Sequence, residues 1–239
     1  MRKLSLICVL IPLLGISQTK NVVSSERVFP KVDKVLEFEK ALAAHAQKYH
    51  TGDWKWRVFE IQSGPDFGGY QLTEGPNSWE QLDTRGNLGN EHNTDWNKSV
   101  AIYLTDKSSS TYSVFQEELS SVQLTDYSDK IDILHIIPKP GYGPELRAAI
   151  KKFKKVFEDG SQSVAVYQSS SSGQNQFALV TRYKQGLKER EANFRKPMKE
   201  RYEAVNGEDS WDDYYDMLKG GVEKIWSELL FARPDLSSK

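Results

Sequence analysis

The chain has 239 residues, 38% of them hydrophobic and 11% aromatic, enough for one large domain or two of ordinary size with a substantial core. Its 32 basic and 33 acidic residues give a formal net charge of −1, which offers no basis for nucleic-acid binding through a net positive field. The one cysteine, Cys8, lies in the first apolar run, so a chain processed beyond it has no disulfide, no thiolate metal site and no cysteine nucleophile.

Arg2 and Lys3 precede an apolar run from Leu4 to Leu14, which is too short to span a bilayer comfortably. Gly15 and Ser17 put small residues three before and one before a cut ahead of Gln18, so residues 1–17 read as a secretory signal peptide. Ile7 is large where a lipoprotein signal wants a small residue before Cys8, which favours ordinary cleavage. Processing would move the net charge from −1 to −3. The expectation is a bacterial protein in the periplasm or outside the cell, with no membrane span after cleavage.

The mature chain reads as two similar halves. "RVFPKVDKVLEFEKALAAHAQKYH" from Arg27 and "HIIPKPGYGPELRAAIKKFKKVF" from His135 each run from an apolar strand through Pro-Lys into a helix. Val35, Phe38, Leu42, Ala46 and Tyr49 form one apolar stripe, and Leu146, Ile150, Phe153 and Phe157 form another. A strand rich in β-branched and aromatic residues follows each helix, near 54–61 and 164–168. Turns "SGPDFGG" and "SSSSGQNQ" then lead to second strands, "YQLTE" from Tyr70 and "FALVTRY" from Phe177.

Helices return after each hairpin. Ser78 to Gln81 and Ser210 to Asp213 have capping-box patterns. The first half predicts two helical pieces, near 94–105 and 111–121. The second predicts a long stripe through Trp211, Tyr215, Leu218, Val222, Ile225 and Leu229, weakened by Gly220-Gly221. The ends, "FQEELSSVQLTD" from Phe115 and "WSELLFARPDLS" from Trp226, also correspond. The predicted fold is therefore α+β: two tandem ferredoxin-like (βαββαβ) repeats, 18–124 and 125–239, joined near 120–130. Packed sheet to sheet they make an intramolecular barrel, with the second repeat in the place of a partner subunit and the chain a monomer.

This organisation resembles the dimeric α+β barrel superfamily, which includes antibiotic-biosynthesis-type monooxygenases, NIPSNAP-like proteins, haem-degrading enzymes and chlorite-dismutase-like proteins. The resemblance rests on element order and on "VFEIQSGPDFGGYQLTEGPNSWEQLD" from Val58, with its strand, Gly-rich turn, strand and Trp-bearing helix. It implies a ligand between sheet and helices or inside the barrel.

Trp54, Trp56, Tyr70, Trp79 and Trp96 make the first half strongly aromatic. Trp56, Tyr70, Trp79 and Trp96 are candidate walls for a small apolar or aromatic ligand, the alternative being an aromatic core. His92, in "GNEHNTDW" beside Glu91 and Asp95, is the candidate catalytic residue, the alternative being a capped solvent loop.

His45 and His50 are five apart, not the four of a metalloprotease pair, and read as surface or boundary residues. His135 alternates with isoleucines and reads as a buried histidine with a backbone partner. For haem, His135 is the only fair candidate by pattern, but it lies on the wrong kind of element for the chlorite-dismutase-like arrangement and nothing matches that family's ligand residue; no metal or other cofactor is expected. The acidic "GEDSWDD" lacks the glycine and final glutamate of a calcium loop, and "FRKPMKER" reads as a solvated helical face.

Two functions stay open: a small-molecule-binding or structural envelope protein, and a cofactor-independent monooxygenase-like enzyme. Convergence of Trp56, Tyr70, Trp79 and His92 on one cavity would favour a ligand site.

Overall fold

The computed structural model describes residues 19–85 and 88–239, so the expected signal segment 1–17 lies outside the described residues. Eight antiparallel strands close into a barrel: β1 (Val22–Pro30), β2 (Trp56–Ile61), β3 (Tyr70–Asn77), β4 (Leu104–Phe115), β5 (Lys130–Pro138), β6 (Val164–Ser170), β7 (Phe177–Arg182) and β8 (Val222–Ala232). Around the barrel the order is β1-β3-β2-β8-β5-β7-β6-β4. The two halves of the sequence meet at two seams. One pairs Phe59, Glu60 and Ile61 of β2 with Ala232, Phe231 and Leu230 of β8. The other pairs Tyr112–Phe115 of β4 with Tyr167–Ser170 of β6.

Helices cover the outside of the barrel. In the first half these are α1 (Val35–Tyr49), α2 (Trp79–Arg85) and α3 (Asn90–Asp95), the last continuing into a π-turn at Trp96–Val100. In the second half they are α4 (Gly143–Asp159), α5 (Met198–Asn206) and α6 (Ser210–Gly221). The predicted stripes are the buried faces: Phe38, Leu42 and Ala46 pack on Val28, Val58, Tyr70 and Leu72, and Leu146, Ile150, Phe153 and Phe157 pack on Ile136, Val164, Val166 and Leu179. A smaller cluster of Phe59, Ile61, Ile131, Ile133 and Leu230 joins the strands of the two halves.

The structure departs from the sequence reading in three places. Residues 111–115, predicted as helix, belong to β4. The pairing of β4 with β1 on one side and β6 on the other satisfies its backbone and overrides local propensity. The stripe predicted through Leu229 breaks at Gly221, and Val222–Ala232 is a strand paired along β5. Gly220-Gly221 thus ends the helix, as residues with the weakest helical preference short of proline can do. The capping box at Ser78 forms, with Ser78 Oγ accepting from Gln81 N–H at 3.1 Å and Gln81 Oε1 accepting from Ser78 N–H at 3.0 Å. At α6 no such box forms: Asp209, at φ 61°, precedes the helix without a side-chain cap, and Ser210 Oγ is buried without a partner.

Candidate functional site

Strand side chains alternate between helix-facing and interior positions. Trp56, Val58, Tyr70 and Leu72 pack with the helical cluster. Their alternates Arg57, Phe59, Gln71 and Thr73 line an interior cavity of about 290 Å³. The cavity is amphipathic: Ile131, Ile133, Ala178, Val180 and Trp226 supply apolar wall, and Arg27, Arg57, Arg182 and Asp66 are its formally charged lining groups.

Arg27 is neutralised. Its guanidinium donates to Asp66 Oδ2 at 2.7 Å, to Gln71 Oε1 at 2.9 Å and to both carboxylate oxygens of Glu228. Glu228, wholly buried, also meets His135 Nε2 at 2.6 Å. His135 is therefore buried as expected, but its partner is a carboxylate and not the backbone. Its ring stacks on Trp226 at 4.6 Å. Burial alone would raise the Glu228 carboxyl; the hydrogen bonds from His135 and Arg27 outweigh it and hold the group below the ordinary carboxylate value. The turn after β2 presses onto this network. At Gly64, φ is 90°, and an added Cβ would stand 2.9 Å from Glu228 Cβ. Gly64→Ala is therefore expected to lower stability by about 1–3 kcal/mol through strain and overpacking. An unchanged thermal transition would show that the turn yields freely.

Arg57 and Arg182 differ from Arg27. Among the described residues neither pairs with a carboxylate. Arg57 donates to Gly75 O at 2.5 Å and lies 4.0 Å from the Tyr127 ring centroid. Arg182 donates to Gln123 O at 3.0 Å, to Asp126 O, to Leu124 O at 3.2 Å and to Tyr167 Oη at 3.0 Å. Burial lowers the Arg57 pKa, and the nearby Arg182 charge acts in the same direction. Two cations thus flank Tyr127 at one side of the cavity.

The residues singled out from sequence lie elsewhere, outside the barrel wall of the first half. Trp56, Trp96 and His92 come together there; Trp79 does not, and Tyr70 belongs to the same core but points its hydroxyl away. Trp56 stacks on His50 at 3.4 Å and meets Trp96 edge-on at 6.0 Å. His92 Nε2 lies 3.2 Å from His45 Nε2 and 3.4 Å from His50 Nε2. Tyr70 packs on Phe38 and donates to Glu39 Oε1 at 2.6 Å; burial, then that carboxylate, pushes its phenol up. Trp79 is 47% exposed beside Tyr112.

The reading of His45 and His50 as surface or boundary residues is corrected: they are 1% and 0% exposed. His45 falls seven after Phe38 and three after Leu42, on the apolar stripe itself, and that signal was present in the sequence. His50 lies one residue past the end of α1, where the chain leaves helical geometry, so counting along a helix could not place it. Arg57 and Arg182 carried no motif; only closure of the barrel brings them together.

No protein-family model matches the chain, and no curated protein matches it. Solved structures do. A candidate monooxygenase from Lactobacillus acidophilus superposes with a TM-score of 0.53 at 11% identity, over 91% of this chain and 95% of that one. An anthrone oxidase-like protein gives 0.53 at 12%, over 90% and 92%. A mutant chlorite dismutase from Candidatus Nitrospira defluvii gives 0.52 at 8%, over 90% and 92%. At such identities the likeness is one of fold: an α+β protein with a closed eight-stranded antiparallel barrel.

Proposed function

We propose that the protein binds a small anionic molecule with a planar apolar body inside the barrel. The observation that carries this reading is the pair of half-buried Arg57 and buried Arg182 at the amphipathic cavity, neither with a carboxylate partner among the described residues. A buried cation without a counter-charge is costly. A carboxylate or similar anion seated between them would supply the missing charge, while Trp226, Ile131 and Val180 would cover an aromatic body.

The proposal extends to architecture and location. Each half runs β-α-β-β-helices-β, and in the barrel each half keeps the order fourth, first, third, second strand. That recurrence supports two ferredoxin-like repeats, 18–124 and 125–239, acting as an internal pseudo-dimer in a monomer, and the signal-like pattern of residues 1–17 is what supports export. Native mass spectrometry of the protein from its own envelope checks this. A monomer carrying a reproducible extra mass is expected; a bare dimer would overturn the pseudo-dimer reading.

A second reading, a cofactor-independent monooxygenase-like enzyme on a small aromatic substrate, is favoured by the Glu228–His135 pair beside the cavity. A carboxylate that accepts a hydrogen bond from Nε2–H leaves Nδ1 as the basic nitrogen, and a base is what such chemistry needs to activate its substrate.

Titrating the processed protein with 2-naphthoate and with neutral naphthalene-2-carboxamide tests the binding reading. The anion is expected to bind at least about tenfold tighter, the worth of one hydrogen bond to a charged group. It should also quench a fluorescence component that disappears in Trp226→Phe. Equal affinities would overturn the reading.

A further inference from the structure

Three of the four histidines in the chain meet at one point, one ring nitrogen from each of His45, His50 and His92 lying within 4.8 Å of the others. They arrive from separate places: the buried face of α1, the residue beyond its end, and α3. We propose that they form a binding site for a late first-row transition-metal dication, Zn²⁺ or Cu²⁺, held through the three Nε2 atoms.

The first support is geometric. Two metal–nitrogen bonds of about 2.0–2.1 Å at a tetrahedral angle put their nitrogens about 3.3 Å apart. Two of the three separations match it, 3.2 Å between the Nε2 atoms of His92 and His45 and 3.4 Å between those of His92 and His50, and the three ring nitrogens all lie within 4.8 Å of one another.

The second support is the accounting of protons. His45 Nδ1 lies 2.7 Å from Asp95 Oδ2, so its proton belongs on that side and its Nε2 is a bare lone pair. His92 Nδ1 lies 3.1 Å from Asn93 Oδ1. His50 Nδ1 stands 3.5 Å from Glu74 Oε2, long for a hydrogen bond, and is buried without one. A proton on His92 Nε2 can serve either neighbour, and a lone pair still faces inward. One cation satisfies all three nitrogens together. Metal-bound histidines typically hold their remote nitrogen against a carboxylate or other acceptor, and Asp95, Glu74 and Asn93 stand in those places.

The surroundings agree. Burial disfavours the charged form of both His45 and His50, and a metal takes the neutral imidazole. Arg85 pairs with Glu74 at 3.0 Å, and among the described residues Asp95 is the carboxylate that meets the imidazoles without a lysine or arginine partner. Trp56 and Trp96 wall the cluster, and half-buried His92 with the partly exposed Asp95 leaves a way in. The second half shows what packing alone asks for here. Counting from the Pro-Lys before each helix, the residue in the place of His45 is Phe153, set among Tyr202, Trp211 and Tyr214. An aromatic ring fills that position in one half; a histidine backed by a carboxylate fills it in the other. Imidazole donors suit zinc and copper, and Mg²⁺ and Ca²⁺ prefer oxygen.

The test is isothermal titration of the processed, untagged protein, stripped with chelator, with Zn²⁺, Cu²⁺, Mg²⁺ and Ca²⁺. One equivalent of Zn²⁺ or Cu²⁺ is expected with submicromolar affinity, and no comparable uptake of Mg²⁺ or Ca²⁺. The Cu²⁺ form should show imidazole nitrogen couplings in its electron paramagnetic resonance spectrum. His45→Gln and His92→Gln should each lower affinity by at least about 100-fold, and Asp95→Asn by about 10–100-fold. Should His45→Gln fail to fold, the half-buried His92→Gln carries the comparison. Absence of stoichiometric binding, or binding that survives His92→Gln, would overturn the site. Neither result bears on the barrel cavity, whose ligand is tested separately.

Discussion

Glu228→Gln is expected to lower stability by about 3 kcal/mol at neutral pH, near the lower end of what removing one partner of a buried ion pair costs. The lower end applies because Asp66 still faces Arg27 at 2.7 Å after the change. For a domain of this size the midpoint of thermal unfolding should fall by about 6–12 °C. The sign with pH follows from the direction of the shift. A carboxyl held below its ordinary value of 4.5 in the folded state contributes stability that is present above that value. This stability is lost as pH falls through the folded value. The wild-type protein should therefore weaken progressively below about pH 4.5, and Glu228→Gln should lack that part of the slope. Denaturant unfolding of both proteins at neutral and acid pH decides it. A variant as stable as wild type, with the same acid slope, would mean that the buried charges contribute no net stability.

Arg57→Met should separate binding from folding. Arg57 makes one backbone hydrogen bond and a ring contact, and its charge is uncompensated by any described carboxylate. Methionine keeps much of the length and removes the half-buried charge. Stability is expected to stay the same or to rise by about 1 kcal/mol, as when buried ionic groups give way to apolar ones. Affinity for 2-naphthoate should fall about 10–100-fold, the loss of a charge-assisted hydrogen bond. Arg182→Met should behave differently, since Arg182 also holds the carbonyls of Gln123, Leu124 and Asp126, and it should weaken folding and binding together. If Arg57→Met were destabilising and bound the anion normally, Arg57 would be a structural residue and the proposed ligand class would be wrong.

Much of the fold was legible because it rests on short-range pattern. The stripes through Phe38 and Leu42 and through Leu146 and Phe153 fixed two helices and the faces they bury. Period-two alternation set Val58 against Phe59. What misled was sequence whose partner is distant. "TDKSSSTYSVF" has little strand character of its own and becomes β4 through pairing on both sides. Ile225 and Leu229 sit at helical spacing from earlier residues, yet follow β5 as a strand. The sites divide in the same way. His92 drew attention in its polar segment and Trp56 and Trp96 by the aromatic richness of the first half, and the structure brings the three together. His50 was misplaced because its position depends on a turn after α1. The arginines were passed over because a lone arginine in a strand carries no signal until the barrel closes around it.

The C-terminal segment has a consequence for the order of events in time. Beyond β8 the chain continues along β2: Arg233 N–H donates to Val58 O at 2.8 Å, and Ser238 N–H to Trp56 O at 3.0 Å. Leu236 is 3% exposed within the core of the first half. The earlier-made half therefore lacks a piece of its own interior until Leu236, far along the second half, has been added.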